Sequence, residues 1–438
     1  MSNCPSQDHL SMHAWQARRR LLRLLTLCCA CAAAPVAAQD TALGANLQGL
    51  LDFARASSAE LSSMRHEADA AAQRITSAAA LPDPVVRVEL MNINNYGSDS
   101  APNLLPARVG ETRYTLMQAL PGWGKRDLRR DLANADAAQA SARIGTTWAE
   151  LAARIKTSYA EAYRASGNAR LTRELIELMR SLEQVALARY AGGLSAQQDA
   201  IRAQLEQTAM RSELLMFEQE KRQLQARLNA LLGRDTAAPL ADPQQLRALP
   251  TLTAADAPAL TQRTQAGNAQ LQAEAARLAS AQKSRELTQR NRYPDFQVGV
   301  FPTQMRSRIT SWGLMFEMNI PLQKESRRAQ EREAELMVSA ALARSEALAQ
   351  QLRGELAANL FAFDAARRTQ ALLRTELLPQ SQLSLQSARA GYESGKVDFA
   401  SLLEAQRQIR RARQELLKSE VEAQLRLADI ERLVGDDL

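Results

Sequence analysis

Residues 311–321 read SWGLMFEMNIP. In an extended chain Trp312, Leu314, Phe316, Met318 and Ile320 fall on one face, and Ser311, Gly313, Met315, Glu317 and Asn319 on the other. Alternation of this length fits a strand crossing a bilayer, with its apolar side to lipid and its polar side to water. A half-buried strand of a soluble sheet has the same period. Val86, Val88 and Leu90 oppose Arg87 and Glu89 in the same way. Four such stretches occur, at about 85–92, 112–120, 295–301 and 311–320, and the sequence around them is helical.

A helical stretch over about 43–80 stops at Leu81-Pro82-Asp83-Pro84, where two prolines cannot continue it. Pro121-Gly122-Trp123-Gly124 opens a very long helix, interrupted at Gly192-Gly193 and followed by another that ends at Gly233. After Pro239, Pro243, Pro250 and Pro258 the order repeats, with a turn near Gly395. Pro82, Asp83, Val86 and Val88 recur as Pro294, Asp295, Val298 and Val300 at a spacing of 212. Pro121 recurs as Pro321 at 200, and Tyr190, Gly193, Ala203 and Gln204 recur as Tyr392, Gly395, Ala405 and Gln406 at 202. The difference of 12 gives the first strand pair the longer loop, Asn94 to Pro106. The expected organisation is a leader 1–38, a first repeat 39–238 with strands in 84–120 and a helical hairpin in 124–232, and a linker 239–258. A second repeat follows over 259–438, with strands in 294–321 and a helical hairpin in 325–434.

Composition agrees with long helices. The chain of 438 residues holds 80 Ala and 63 Leu but only 18 Gly and 4% aromatics, which argues against an α/β enzyme or a turn-rich β-sandwich. Regions 125–190 and 325–391 would each reach on the order of 100 Å as continuous helix. Leu402, Ile409, Leu416, Ala423 and Ile430 recur at every seventh position, with Ala405, Ala412, Ser419 and Leu433 at offset three, as in a coiled-coil seam. Leu214, Phe217, Lys221, Leu224, Leu228 and Leu231 form a similar seam. Each helix pair therefore reads as a long antiparallel hairpin. Four strands cannot close a barrel and lipid forbids a free sheet edge, so membrane-spanning strands would need several copies; three give twelve.

Arg18-Arg19-Arg20 precede an apolar run from Leu21 to Ala34, and Val36-Ala37-Ala38 is a small-residue cleavage sequence, so the start reads as a secretory signal peptide. Lipidation at Cys31 is the alternative, but Cys28-Cys29-Ala30 departs from a lipoprotein cleavage site. All four cysteines, with His9 and His13, lie in this segment and leave only His66 beyond it. Disulfides, thiol catalysis and His/Cys metal sites are thereby excluded from the mature chain, and no cofactor is expected. Residues 1–38 carry four arginines and Asp8, so their removal lowers the formal net charge from +7 to +4, which is no nucleic-acid signal. No nucleophile elbow, Walker loop or dinucleotide glycine pattern is present, and no enzyme is expected.

The leader, the two helix–strand-pair–helical-hairpin repeats, and the turn sequences RYAGGLSAQQD (189–199) and GYESG (391–395) resemble the TolC-type outer-membrane efflux proteins. PGWGKR (121–126), opening a long helix, is similar to members serving heavy-metal pumps. The resemblance implies a mainly α fold with a small β part, a homotrimer whose strands form a twelve-stranded outer-membrane barrel, and a helical tunnel through the periplasm. It further implies a periplasmic adaptor and an inner-membrane pump, often of the resistance-nodulation-division type. In the family an acidic ring and a tyrosine–aspartate–arginine network hold the inner end closed. By position Asp199 matches that aspartate, Tyr392 the tyrosine, and Glu404 the second ring aspartate. The arginine position is Val397, with Lys396 beside it, and the first ring aspartate is replaced by Ser401, leaving Asp398 as a substitute carboxylate or a helix cap. Tyr190, Gly192, Gly193, Ser195 and Gly395 would meet the adaptor. The rival reading is a soluble periplasmic coiled-coil adaptor, which explains the helices but not paired strands at equivalent points of both halves. A ring of Glu404 in a trimer would favour cations. Unchanged cation selectivity of Glu404→Ala in planar bilayers would reject that ring.

Overall fold

The computed structural model describes residues 43–93, 104–106 and 109–438. The leader and Cys31 lie outside these residues, as does most of the Asn94–Pro106 loop. The first repeat folds as α1 (Leu47–Ser57), α2 (Ala59–Ala79), β1 (Val85–Met91), β2 (Glu111–Leu120), α3 (Lys125–Ala191) and α4 (Gln197–Leu231). The second follows the same order as α5 (Ala257–Gly267), α6 (Ala269–Arg290), β3 (Phe296–Met305), β4 (Arg308–Met318), α7 (Lys324–Leu372), α8 (Leu378–Glu393) and α9 (Phe399–Val434).

Three helices expected to be continuous are interrupted, each for a local reason. The first breaks at Ser58, whose extended backbone lets its hydroxyl accept the Leu61 N–H and cap α2. Asn268 does the same between α5 and α6, accepting from Gln270 and Leu271. The path from Lys324 to Glu393 contains a π turn at Leu373–Leu377, where the Leu378 N–H bonds the Leu373 carbonyl. Pro379 lies one residue beyond and would press on the carbonyl four residues back, so widening the turn relieves that clash.

The strands form one antiparallel sheet in the order β1-β2-β3-β4, so β2 and β3 join the two repeats. Val86, Leu116, Val300 and Leu314 lie in one row across it, and Phe296 packs on Phe316 at 5.7 Å in the next rows. This face is open: Leu314 is 87% exposed, and Val86, Val88, Trp312 and Phe316 are each more than half exposed. Leu90 lies on the same face, half-buried, while exposed Ile320 falls two residues beyond β4 and not within it. The opposite face carries a polar row, Glu89, Arg113, Thr303 and Ser311, with the Arg113 guanidinium 4.9 Å from the Phe301 ring centroid. Gly313 leaves room there for the Phe301 ring, which a Cβ would displace.

Below the sheet the helices pack into three apolar clusters. Leu50, Ile155, Leu228 and Leu232 centre one in the first repeat, and Leu356, Phe363, Leu427 and Ile430 centre one in the second. The third, with Met179, Met210, Tyr392, Phe399 and Leu402, joins both helical hairpins. The two upper clusters repeat one arrangement. The Ser57 hydroxyl donates to the Leu232 carbonyl near Gly233, and the buried Asn268 amide donates to the Leu433 carbonyl near Gly435, 202 residues on. Buried Lys156 of α3 pairs with Glu431 of α9 at 2.8 Å, and Arg247 of the linker binds the same carboxylate at 2.9 and 3.0 Å. No helix among the described residues is long and apolar enough to cross a membrane.

The PGWGK segment has a structural role at the foot of the sheet. Asp295 accepts the Gly122 N–H at 2.7 Å and the Lys125 ammonium at 2.9 Å, and Lys125 also donates to the Tyr293 carbonyl. Lys125 is nearly inaccessible and therefore depends on these partners. Lys125→Met is expected to cost about 2 kcal/mol of stability. Asp295→Asn should add little in the double variant, since both remove one clamp. Additive losses in thermal unfolding of the full chain in detergent would reject the clamp.

Candidate functional site

The hairpin turns lie at the far ends of α3 and α8, opposite the sheet. Both close identically. The Leu194 N–H donates to the Arg189 carbonyl and the Lys396 N–H to the Gly391 carbonyl, each at 2.8 Å. Gly193 (φ 73°) and Gly395 (φ 77°) occupy the left-handed region that this closure needs.

Between the turns Tyr392 is 3% exposed. Its hydroxyl donates to Asp199 Oδ2 at 3.3 Å, and its ring meets Phe399 edge-on at 5.3 Å. Burial, then the Asp199 charge, push the Tyr392 hydroxyl above its ordinary value, so it remains a donor at neutral pH. The Arg189 guanidinium lies 5.1 Å from the same ring centroid. It also donates to the Glu393 carbonyl at 2.9 Å and the Leu194 carbonyl at 3.3 Å, so one side chain ties both turns.

The structure thus brings Asp199 and Tyr392 together, as the resemblance implies, but supplies the cation from elsewhere. Val397 packs against Gly391, where a Cβ would lie 3.1 Å from its own Cβ. At the repeat spacing of 202, Gly391 is the counterpart of Arg189, so the second turn has no guanidinium at the equivalent position. That asymmetry was the available signal for Arg189.

Asp398 is the N-cap of α9, accepting the Ser401 N–H at 3.1 Å. Hydrogen bonds from the Ser401 side chain and backbone hold its carboxyl below the ordinary carboxylate range. Its counterpart Ala196 caps α4 without a side-chain bond. Glu404 and Lys396 are exposed, and neither makes an ion pair among the described residues. Tyr190 and Leu194 are exposed at the first turn, and Ser195 is half-buried beside them. Farther along, buried Glu206 of α4 takes Arg407 at 2.7 Å and Arg410 at 3.4 Å from α9, and Glu213 takes Arg410 and Gln414. This cross-hairpin ladder has no signature in a seam pattern read one helix at a time. No group of three or more His, Cys, Asp or Glu able to hold a metal ion occurs among the described residues.

The family model described as "Outer membrane efflux protein" matches residues 50–234 and 260–436. Among solved structures, the outer-membrane channel OprN is 20% identical, with a TM-score of 0.75 and 89% of each chain covered. VceC from Vibrio cholerae is 17% identical, with a TM-score of 0.75, covering 89% of this chain and 96% of that one. CusC is 15% identical, with a TM-score of 0.76, covering 93% and 96%. At these identities the likeness is one of fold. No curated protein matches the chain.

Tyr392→Phe deletes the hydroxyl bond and keeps the ring, while Arg189→Gln deletes the cation. Each is expected to raise hydrogen exchange at the turn amides 192–195 and 394–397 roughly five-fold, about 1 kcal/mol of local opening, with no change near Gly233. Unchanged turn exchange in Arg189→Gln would show that the guanidinium does not hold the turns.

Proposed function

This chain belongs to the outer membrane efflux protein family, and from that premise we propose that three copies close a single outer-membrane channel. Twelve strands, four from each copy, form the barrel, and the hairpins α3–α4 and α7–α9 form the tunnel that continues from it. The observation carrying this reading is the sheet. Its apolar face is open on all four strands and its opposite face carries the polar row Glu89, Arg113, Thr303 and Ser311, an arrangement that suits a barrel between lipid and a water-filled lumen. A soluble adaptor would have to cover Trp312, Leu314 and Phe316, and nothing among the described residues does.

Closure by copies is supported along the helices too. α4 packs on α3 and leaves Ile201, Leu205, Leu215 and Met216 exposed. Phe361, Leu372, Leu377 and Leu383 are exposed on α7, α8 and the turn between them. These are two apolar flanks of one chain, and in a cyclic assembly one flank covers the other.

The turns at Gly193 and Gly395 then face the periplasm and meet an adaptor that couples the channel to an inner-membrane pump of the resistance-nodulation-division type. The pump selects the cargo and the channel conducts it passively. Asp199, Tyr392 and Arg189 hold the inner end narrow, and Glu404 and Lys396 set charge at the entrance.

Cell fractionation should recover the protein in the outer membrane, soluble only in detergent and trimeric. In planar bilayers Tyr392→Phe combined with Arg189→Gln should raise single-channel conductance over wild type. Recovery as a soluble monomer would overturn the channel reading, and equal conductance would overturn the gate.

A further inference from the structure

All four strand–helix junctions lie at one end of the sheet, before Val85, after Leu120, before Phe296 and after Met318. Each junction leaves at least one large apolar side chain in the open, namely Leu81, Trp123, Tyr293, and both Ile320 and Leu322, with Trp123 89% exposed. Beside Trp123, between the first turn of α3 and the last turns of α6, is an open cavity of about 750 Å³. Gly124, Asp127, Glu286, Arg290, Arg292 and Tyr293 line it.

The charges of this cavity are mixed in a particular way. Arg290 stacks on Tyr293, its guanidinium 5.7 Å from the ring centroid, and has no carboxylate partner among the described residues. Asp127 is held on one oxygen by Arg130 at 3.3 Å, and Glu286 on one by Lys283 at 3.0 Å, which leaves each carboxylate a second oxygen. Arg292 is paired with Glu331 at 2.8 Å. One free guanidinium and two half-occupied carboxylates suit a ligand carrying both signs. Gly124, with φ 79°, borders Arg290, whose Nε would lie 3.9 Å from a Cβ built there.

We propose that this cavity is a phospholipid headgroup site, selective for phosphoethanolamine. The proposal rests on the outer-membrane reading above. Arg290 binds the phosphate through its planar fork, and Asp127 and Glu286 receive the ammonium. The acyl chains rise along the apolar face past Leu120 and Ile320, and Trp123 and Tyr293 sit at the level of the ester groups, where an aromatic ring with one polar edge is most stable. Depth agrees with this assignment, because the rim residues Gly124 and Tyr293 lie just below the strand ends Leu120 and Phe296, at the level of the headgroup layer. A purely anionic headgroup would meet both carboxylates and is the poorer ligand.

The test uses the full-length protein in phosphatidylcholine nanodiscs containing either phosphatidylethanolamine or phosphatidylglycerol as the minor lipid. Lipid retained after detergent extraction is counted by native mass spectrometry. Wild type should retain phosphatidylethanolamine over phosphatidylglycerol, and Arg290→Gln should lower that retention about ten-fold. Arg290→Lys, which keeps the charge but not the fork, should fall between them. Arg328→Gln, an exposed cation of α7 outside the cavity, should match wild type. Equal retention of the two lipids, no loss in Arg290→Gln, or an equal loss in Arg328→Gln would each overturn the site. Failure of the wild type to enter nanodiscs would overturn the outer-membrane reading itself, whereas insertion without lipid selectivity removes the headgroup site alone.

Discussion

A sheet that faces hydrocarbon cannot leave backbone N–H and C=O groups unpaired along its edges. The four strands end in two such edges, β1 and β4, and no further strand among the described residues pairs with either. Hydrogen bonding alone therefore demands a partner for each edge, and the cheapest partner is another copy offering the complementary edge. The rest of the architecture follows from meeting that demand. Strands too few to close must be held at a common tilt by helices beneath them, and the Asp295–Lys125–Gly122 clamp fixes that junction.

The two repeats are joined at three levels that use different chemistry. At the top, β2 and β3 share a hydrogen-bonded ladder. In the middle, each repeat seats a helix break against the glycine end of its own hairpin, and Lys156, Arg247 and Glu431 bind the repeats across a buried carboxylate. At the bottom, Tyr392, Asp199 and Arg189 tie one turn to the other. Beyond the apolar cluster around Met179, Met210 and Phe399, the turns themselves leave Tyr190 and Leu194 exposed.

Much of this was legible in the sequence because periodicity is a backbone property. Alternation at Trp312–Met318 and the seam from Leu402 to Leu433 state which face is covered before any partner is known. Gly193 and Gly395 announce their turns because few other residues adopt that backbone. The breaks at Ser58 and Asn268 were hidden in helix-favouring surroundings, where a single capping side chain decides against the local average. Arg189 was hidden for another reason. Its partners Tyr392 and Glu393 are some two hundred residues distant, and a resemblance assigns roles by aligned position, whereas a long side chain can fill the same space from a different element.

Between Pro121/Pro321 and Tyr190/Tyr392 the repeat spacing grows from 200 to 202, so the second chain path from sheet to turn is longer by two residues. That path contains the π turn at Leu373–Leu377, which winds more residues into a turn than an α-helix does. Duplicated halves need not stay equal in length to stay level at their tips. An insertion on one side can be taken up as a local swelling of the helix, provided a proline such as Pro379 makes the wider turn favourable. The reach of such a tunnel is then set by where its ends make contact and is uncoupled from the number of residues spent in getting there.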